Sequence, residues 1–135
     1  MIELHDVYAD MKHTNAIARL YGWLEQRTPE QSISHRAMPT MKQHTAFVLR
    51  RPYAAWYMIK TQDGYAGNIY LTAHREVGIH IDDAYRGKGI GSKALVALRE
   101  KHPGPLLANI NPNNAPSIAF FKRHGALLIQ HTYEL

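Results

Sequence analysis

Three glycines fall within five consecutive residues in the second half of the chain: Gly87, Gly89 and Gly91. Because glycine has no Cβ, the backbone can turn sharply there and a ligand can approach it closely. A β-rich run, Val77–Ile81, precedes this loop, and an apolar stripe of helical period begins at Ile90. The free N–H groups and the positive dipole end of that helix would lie beside the loop. The arrangement predicts a cradle for a pyrophosphate, with Arg86 and Lys88 adding charge at its rim.

Two other phosphate-binding loops do not fit this spacing. A Walker loop ends Gly-Lys-Ser/Thr, whereas Gly91 is followed by Ser92-Lys93. A dinucleotide fingerprint that starts at Gly87 needs a third glycine where Ser92 stands, and the chain is too short for a doubly wound sheet. The spacing that remains is Arg-x-x-Gly-x-Gly, from Arg86 to Gly91. A glycine turn that serves packing alone is the alternative at this point.

Before the loop, the sequence predicts two helices and then a β-hairpin. Residues 14–26 carry apolar side chains at helical spacing. Thr40 with Gln43 forms a capping box for a second helix, which Pro52 ends. Two β-rich runs then flank a turn at Asp63-Gly64. These runs are Ala54–Lys60 and Ala66–Leu71.

After the loop helix, the pattern alternates again between strand and helix. Leu106–Ile110 is a short strand, and Asn114 caps a helix that stops at Gly125. Strict alternation over Ala126–Leu135 predicts a terminal strand that is half exposed to water. The order is ααβββαβαβ with an extra strand near Ile2–Val7, which predicts a mixed sheet with helices packed on it.

Length and composition limit the classes of protein. The 135 residues fit one domain, 1–135, with 45% apolar and 20% charged residues. The chain has no cysteine, which excludes disulfides and thiolate chemistry. It begins with acidic residues where a signal peptide is basic, and it has no apolar run of membrane-spanning length, so we expect a soluble, cytoplasmic protein without a membrane partner. Since no HExxH spacing occurs, no metal is predicted.

The formal net charge of +5 admits a polyanionic partner. The basic residues are dispersed along the chain, and no block of five or six occurs. A nucleic-acid footprint is a clustered patch, so the charge favours a phosphate-rich cofactor or substrate over nucleic acid.

Two motifs together resemble the GNAT (GCN5-related N-acetyltransferase) superfamily. The first is the run Ile81–Gly91, which is similar to the family's acetyl-CoA loop. The second is Asn114-Ala115-x-x-Ile118-x-x-Phe121-x-x-x-Gly125, which lies one strand later. The resemblance implies an α/β (mixed α+β) GNAT fold: a mostly antiparallel sheet, splayed at the acyl-CoA site and flanked by about four helices. It also implies acetyl-CoA as co-substrate and direct attack of a primary amine on the thioester.

The resemblance further implies coenzyme contacts from three places. The main chain of Ile79, His80 and Ile81 would pair with the pantetheine like an added strand. Asn114 and Phe121 would contact the pantetheine from the later helix. The pyrophosphate would lie on Arg86, Gly87, Lys88, Gly89, Ile90, Gly91 and Ser92.

Three residues are candidates for proton transfer. Glu76 stands where several relatives carry a general base that works through water, and the alternative is an exposed carboxylate paired with Arg75. His80 has an ordinary pKa suited to proton transfer near neutrality, and the alternative is a side chain that fills the wedge. Phe121 occupies a position that is commonly a tyrosine acid in the family, so Ser117, one helical turn earlier, is a candidate acid acting through water, and the alternative is that the thiolate leaves without an acid.

Of all parts of the implied reaction, the acceptor amine is the one that the sequence determines least. The segment 33–40 resembles family members that act on amino sugars of nucleotide-sugar pathways, with His35 and Trp56 as candidate substrate contacts and His44 nearby. Protein N-terminal amines and aminoglycosides are alternative acceptors. A non-catalytic acyl-CoA-binding sensor is the alternative from another functional class, followed by a basic nucleic-acid-binding protein.

A single terminal strand over 126–135 would leave part of the sheet edge unpaired. Open edges favour pairing with a second chain, commonly across a two-fold axis. We therefore expect a homodimer, with a monomer kept soluble by Gln130, Thr132 and Glu134 as the alternative.

Overall fold

The computed structural model describes residues 1–31 and 37–135, which contain one five-stranded sheet. The strands lie side by side in chain order, and each of the first three neighbouring pairs is antiparallel, whereas β4 and β5 are parallel. This confirms the expected mixed, mostly antiparallel sheet and the extra strand near the start of the chain. The strands are β1 (Glu3–Asp6), β2 (Ala55–Thr61), β3 (Gly64–Leu71), β4 (Glu76–Ile81) and β5 (Leu107–Ala108).

Four helices of nine or more residues flank the sheet, preceded by a one-turn helix, in agreement with the expected number. They begin where the sequence predicted: Thr40 and Gln43 form a complete capping box, and the Asn114 side chain accepts a hydrogen bond from Ser117 N. Two short 3-10 turns lie at Pro29–Gln31 and Asp83–Tyr85. The helices are α1 (Met11–Thr14), α2 (Ala16–Glu25), α3 (Met41–Leu49), α4 (Ile90–Lys101) and α5 (Ala115–Arg123). None of the helices in the described ranges is both long and apolar enough to span a bilayer.

Each face of the sheet has its own apolar cluster. Alternate strand residues point to opposite faces, so each strand contributes to both. On one face, Ile69 and Val77 pack with Ala94 and Leu98 of α4 and with Phe121 of α5. On the other, the buried members from α2, α3 and β2 are Ala16, Leu20, Trp23, Val48, Trp56 and Met58. We call these the α4 face and the α2 face.

The sheet splits between β4 and β5. These strands pair only at Glu76 with Leu107 and at Val77 with Ala108. Over the described residues, β4 continues to Ile81 along β3 while its other edge has no strand partner. The result is the expected wedge, which opens toward the glycine loop.

The predicted terminal strand is wrong. Residues 126–135 form no strand, and all of them are exposed; Leu127 is 84% and Ile129 72% exposed. Alternation of apolar and polar residues suits a strand, but a strand forms only where another strand's main chain lies alongside. The chain leaves α5 at Gly125 (φ 86°), where Ala126 N donates to Phe121 O and closes the helix.

Candidate functional site

The glycine loop has the backbone that its sequence predicted. Gly87 and Gly89 have φ values of 75° and 74°, a region that favours glycine. A Cβ added at either position would have no heavy atom within 4 Å, apart from its chain neighbours. The backbone therefore requires glycine at both positions for its conformation, and the space beside it is open to a ligand.

The start of α4 is left uncapped. Gly89 occupies the N-cap position, and no side chain in the described part of the protein bonds to the first turn. Lys93 N donates to Gly89 O, which is the first bond of the helix ladder. The main-chain N–H groups of the first turn of α4, which precede this bond, therefore remain available to an external acceptor at the positive end of the helix dipole.

Gly91 and Ser92 serve the packing of α4 against α5. A Cβ at Gly91 would lie 3.3 Å from the Phe120 ring and 3.7 Å from the Ile81 side chain, so glycine permits the close approach. The Ser92 hydroxyl lies 2.9 Å from His124 Nε2. These contacts join the start of α4 to α5.

The two rim cations differ in how they are held. Arg86 Nε lies 3.1 Å from Asp83 Oδ1 and donates to Ile81 O at 3.3 Å, so its side chain is tied to the end of β4. Lys88 is exposed, with its ammonium 5.6 Å from the Tyr85 ring centroid. Lys88 is therefore the cation that is free to move toward a ligand.

The register of β4 decides which main-chain groups face the wedge. Thr72 N donates to Glu76 O, and Asp82 N donates to Ala66 O, so even-numbered residues of β4 bond to β3. In an antiparallel pair this direction alternates, so the N–H and C=O of Ile79 and Ile81 point to the open edge. The carbonyl of His80 faces β3, where it would collide with a Cβ at Gly67. Of the three residues expected to pair with the pantetheine, the main chain of His80 is turned away.

The α5 candidates are Asn114, Ser117 and Phe121, and their helix contacts the loop through Phe120. The Asn114 Oδ1 is used by the cap to Ser117 N (3.2 Å), which leaves the amide Nδ2 as the group that can donate to a ligand. Phe121 is 8% exposed and packs in the core of the α4 face, whereas the half-buried Phe120 lies against Gly91. Contact of Phe121 with a pantetheine and proton donation by Ser117 stay predictions.

Glu76 is held at the base of the wedge. One of its oxygens accepts from Thr72 Oγ1 at 3.1 Å, and the other accepts a short bond from the Asn109 amide just after β5. Arg75, the alternative partner, instead donates to the carbonyls of His102, Pro103 and Pro105. The carboxylate is therefore positioned across the two separating strands, and no bond to Arg75 is formed.

His80 lies on the α2 face, further along β4 than Glu76. Its Nε2 is 3.1 Å from Gln26 Oε1, near the end of α2. Burial, together with the nearby positive charge of Arg86, lowers the pKa of His80 to about 4. The ring is therefore neutral at neutral pH.

An aromatic surface lies between Glu76 and His80. The Tyr70 ring lies flat against β4 at Gly78, where any Cβ would collide with it. It stacks on Tyr53 with ring centroids 3.8 Å apart. Trp56 is 5% exposed and donates from Nε1 to Asn68 Oδ1, so it supports this surface from within the core. Contact of Trp56 with substrate stays a prediction.

The histidine candidates on the acceptor side differ in outcome. His44 is 2% exposed, and its Nε2 lies 3.0 Å from Ile17 O, so it joins α3 to α2 within the core. Burial lowers the pKa of His44, consistent with a neutral structural residue. His35 lies outside the described residues. Among the residues that are described, no group of three His, Asp or Glu side chains could hold a metal ion.

Sequence reasoning missed three residues of this site: Gln26, Asn109 as the partner of Glu76, and Tyr70. Gln26 and His80 are 54 residues apart, and no local pattern relates them. Gly78 was the only sequence feature that indicated the close approach of Tyr70 to β4, because a glycine inside a strand often marks a place where another group lies close to the main chain.

A sequence profile described as the Acetyltransferase (GNAT) family matches residues 14–126, which is most of the chain. This chain belongs to the GNAT acetyltransferase family. The match covers the glycine loop, the wedge and the Asn114 helix, so the resemblance of the two motifs is confirmed for family and fold.

Individual relatives show how far the similarity extends. YwnH of Bacillus subtilis (strain 168), provisionally assigned as a phosphinothricin acetyltransferase, is 37% identical over 76 residues, or 53% of this chain and 45% of YwnH. The peptidyl-lysine N-acetyltransferase YjaB of Salmonella typhimurium is 31% identical over 70 residues, or 52% of this chain and 48% of YjaB. The aligned region thus spans about half the length of each curated relative.

Solved structures support the fold. The ribosomal L7/L12 alpha-N-protein acetyltransferase RimL in complex with coenzyme A superposes with a TM-score of 0.66 at 21% identity, over 90% of this chain and 77% of RimL. At this identity the similarity concerns the fold alone.

Proposed function

We propose that this GNAT domain is an acyl-CoA-dependent N-acetyltransferase that moves an acetyl group from acetyl-CoA to a primary amine. The observation that carries the proposal is the uncapped start of α4 behind Gly87 and Gly89, placed beside the unpaired edge of β4. An anion site and an open strand edge are what a pyrophosphate with an extended arm requires.

The glycine loop and the start of α4 fit the coenzyme because they leave open space and free main-chain N–H groups. The open side of Gly87 and Gly89 and the free N–H groups of α4 would hold the pyrophosphate, with Lys88 able to reach it. The N–H and C=O of Ile79 would bond to the pantetheine amides. When bound, acetyl-CoA supplies an activated thioester carbonyl. The remaining chemistry falls to side chains of this chain.

Two side chains on the α2 face are suited to accept a proton from the amine. Glu76 is held by Thr72 and Asn109, so its position does not depend on a substrate. His80 is kept neutral, and its pKa near 4 makes it a weak base. Both remain candidates, and the pH profile of kcat/KM separates them: the acidic limb should shift in Glu76→Gln or in His80→Gln, whichever residue is the base. If the limb is unchanged in both, the pKa of the acceptor amine sets it.

The proton for the leaving thiol is assigned to Ser117, acting through water. Phe121 cannot donate a proton, and it is buried. If protonation limits the rate, Ser117→Ala should lower turnover and Phe121→Tyr should raise it. Unchanged turnover in both would mean that the thiolate leaves without an acid.

For the acceptor, we propose an amino sugar of a nucleotide-sugar pathway. The first half of the supporting segment 33–40 lies outside the described residues. Tyr53 and Tyr70 are half-buried beside Gly78, and their accessible parts would lie against the acceptor. The names of the relatives point to other amines, phosphinothricin and peptidyl-lysine, so both are included in the test.

The test is release of free coenzyme A from acetyl-CoA with a panel of amines. The chain has no cysteine, so a thiol reagent reads coenzyme release without background from the protein. The panel contains nucleotide-linked amino sugars, aminoglycosides, phosphinothricin and peptides with a free N-terminus or lysine. Amine-dependent release that is lost in Gly89→Val supports the proposal.

A non-catalytic acyl-CoA sensor gives a different result. Such a protein would bind acetyl-CoA by calorimetry yet release no thiol with any amine of the panel. Binding without release would therefore overturn the enzyme and retain the coenzyme site.

We also propose a homodimer, although not through a preformed strand. Two observations support it. Large apolar side chains are exposed over residues 126–135, namely Leu127, Leu128, Ile129, Tyr133 and Leu135. The outer edge of β5 also has no strand partner in the described sheet. Light scattering at micromolar concentration tests it, and a mass of 15.4 kDa would overturn it. A cytoplasmic location and the absence of nucleic-acid and membrane partners stay predictions.

A further inference from the structure

The side chain of Gln26 connects α2 to the last residues of β4. Gln26 is half-buried near the end of the helix. Its Oε1 accepts from Asp83 N at 3.1 Å and lies 3.1 Å from His80 Nε2, and its Nε2 donates to Asp82 Oδ2 at 3.3 Å. One amide therefore contacts three residues that are more than 50 positions away in the chain.

Two of these contacts fix which end of the amide is oxygen. A main-chain N–H can only donate, so the end that meets Asp83 is the carbonyl. A carboxylate can only accept, so the end that meets Asp82 is the NH₂ group. The carbonyl that meets His80 then requires the ring to donate, which places the hydrogen on Nε2.

We propose that Gln26 is a positioning residue that holds His80 in the Nε2–H tautomer and fastens the entry of the coenzyme loop to α2. This inference rests on the proposed function, because the tautomer of His80 matters to catalysis only if acetyl transfer takes place beside it. Gln26 acts through His80 and Asp83, and we assign it no contact with substrate.

The consequence for His80 is that Nδ1 is its one atom able to accept a hydrogen bond or a proton. A neutral imidazole has one N–H and one bare nitrogen, and the partner of the first decides which is which. The neutral ring is favoured by burial and by the positive charges of Arg86 and Arg27, against the negative charges of Asp82 and Asp83. Without Gln26, either ring nitrogen could carry the hydrogen.

The same Gln26 oxygen, Oε1, also affects the approach to the glycine loop. Asp83 begins the 3-10 turn that leads to Gly87, and its N–H is bonded to Gln26 rather than to its own turn. Asp82 is held from a second side, since Trp23 Nε1 donates to its Oδ2 at 2.9 Å. Loss of the Gln26 amide should therefore disturb both the ring of His80 and the approach to the coenzyme loop, while Trp23 keeps Asp82 in place.

The experiment is nitrogen NMR of the imidazole rings in the ¹⁵N-labelled full chain, without coenzyme, at pH 7. The signals of His80 are identified by their absence in His80→Gln, and their couplings to the ring protons show which nitrogen bears the hydrogen. We expect the Nε2–H form in the wild type. In Gln26→Leu we expect a mixture that contains the Nδ1–H form.

The matched control is Gln43→Leu, which changes the capping-box glutamine of α3 and should leave the His80 spectrum unchanged. An Nδ1–H form in the wild type, or a pure Nε2–H form in Gln26→Leu, would overturn the proposal. If Gln26→Leu does not fold, the wild-type spectrum still decides, because it needs no variant at position 26.

Kinetics then separate this inference from the proposed function. With an active amine, Gln26→Leu should lower kcat about tenfold and raise the KM for acetyl-CoA. If no amine of the panel is acetylated, the proposed function fails, whereas the tautomer measurement stands on its own.

Discussion

The two faces of the sheet present different kinds of atoms to the wedge. On the α4 face, the site consists mainly of main-chain N–H groups at an uncapped helix start, exposed by Gly87 and Gly89. On the α2 face, the corresponding helix start is closed, because Thr40 and Gln43 satisfy the first turn of α3. The polar groups there are side chains, and Gln26 and Asn109 hold them in place. A main-chain site suits a ligand that many proteins share, whereas a side-chain site suits a ligand that differs between relatives.

The largest effect is expected from Gly89→Val. A branched residue at φ 74° is strained by about 1–3 kcal/mol, and its side chain would occupy the open space beside the start of α4. Affinity for coenzyme A should fall by roughly 100-fold or more, measured by calorimetry, with the circular dichroism spectrum retained. Gly22→Ala is the control, since Gly22 lies in α2 with open space around it. Wild-type affinity in Gly89→Val would show that the main chain here is not the anion site.

Thr40→Ala tests whether the start of α3 is only structural. Removing the cap leaves the Gln43 N–H unsatisfied and should lower the free energy of unfolding by about 1 kcal/mol, measured by urea denaturation. Affinity for coenzyme A should not change. Thr45→Ala, on the same helix, should not destabilise, because its hydroxyl bonds back to Met41 O and alanine favours the helix more. A weaker coenzyme complex in Thr40→Ala would contradict the division between the two faces.

The pH dependence of stability reports on His80. Its pKa of about 4 in the folded chain lies below the ordinary 6.5, so the unfolded chain binds more protons between these values. The stability contribution of neutral His80 is complete above pH 6.5 and is lost as the pH falls toward 4. Relative to the wild type, His80→Gln should therefore lose less stability between pH 7 and pH 5, by roughly 1 kcal/mol after allowance for partial exposure.

His74→Gln is the matched control, because His74 is exposed just before β4. An identical loss of stability on acidification in the wild type and in His80→Gln would mean that the ring is not buried in the neutral form.

The smallest effect is expected from Lys88→Met. If main-chain N–H groups supply most of the anion binding, removing one exposed rim cation should weaken coenzyme A only a few-fold, about 0.5 kcal/mol at low salt. Lys12→Met, in α1, is the control for net charge. Loss of affinity as large as in Gly89→Val would assign the pyrophosphate to the lysine instead of the helix start.

Several features were predictable because they depend on neighbouring residues. The glycine loop, the Thr40 capping box and the Asn114 cap are local patterns, and the structure has each of them at the expected residues. The places of the first four strands along the chain followed from local periodicity and from the Asp63-Gly64 turn. Alternation over 126–135 was equally local, but a strand also needs a partner, and the described sheet provides none there.

What the sequence by itself determined is therefore the fold family and the backbone of the glycine loop, since glycine conformation and helix capping are properties of a few consecutive residues. Only the tertiary structure decided that Gln26 contacts His80, that Asn109 holds Glu76, and that the main chain of His80 faces β3. These contacts join residues 13 to 54 positions apart, and their geometry depends on how strands align and where helices pack. The polar groups of the α2 face depend on such contacts, because side chains from different elements meet only after the sheet and its helices have assembled.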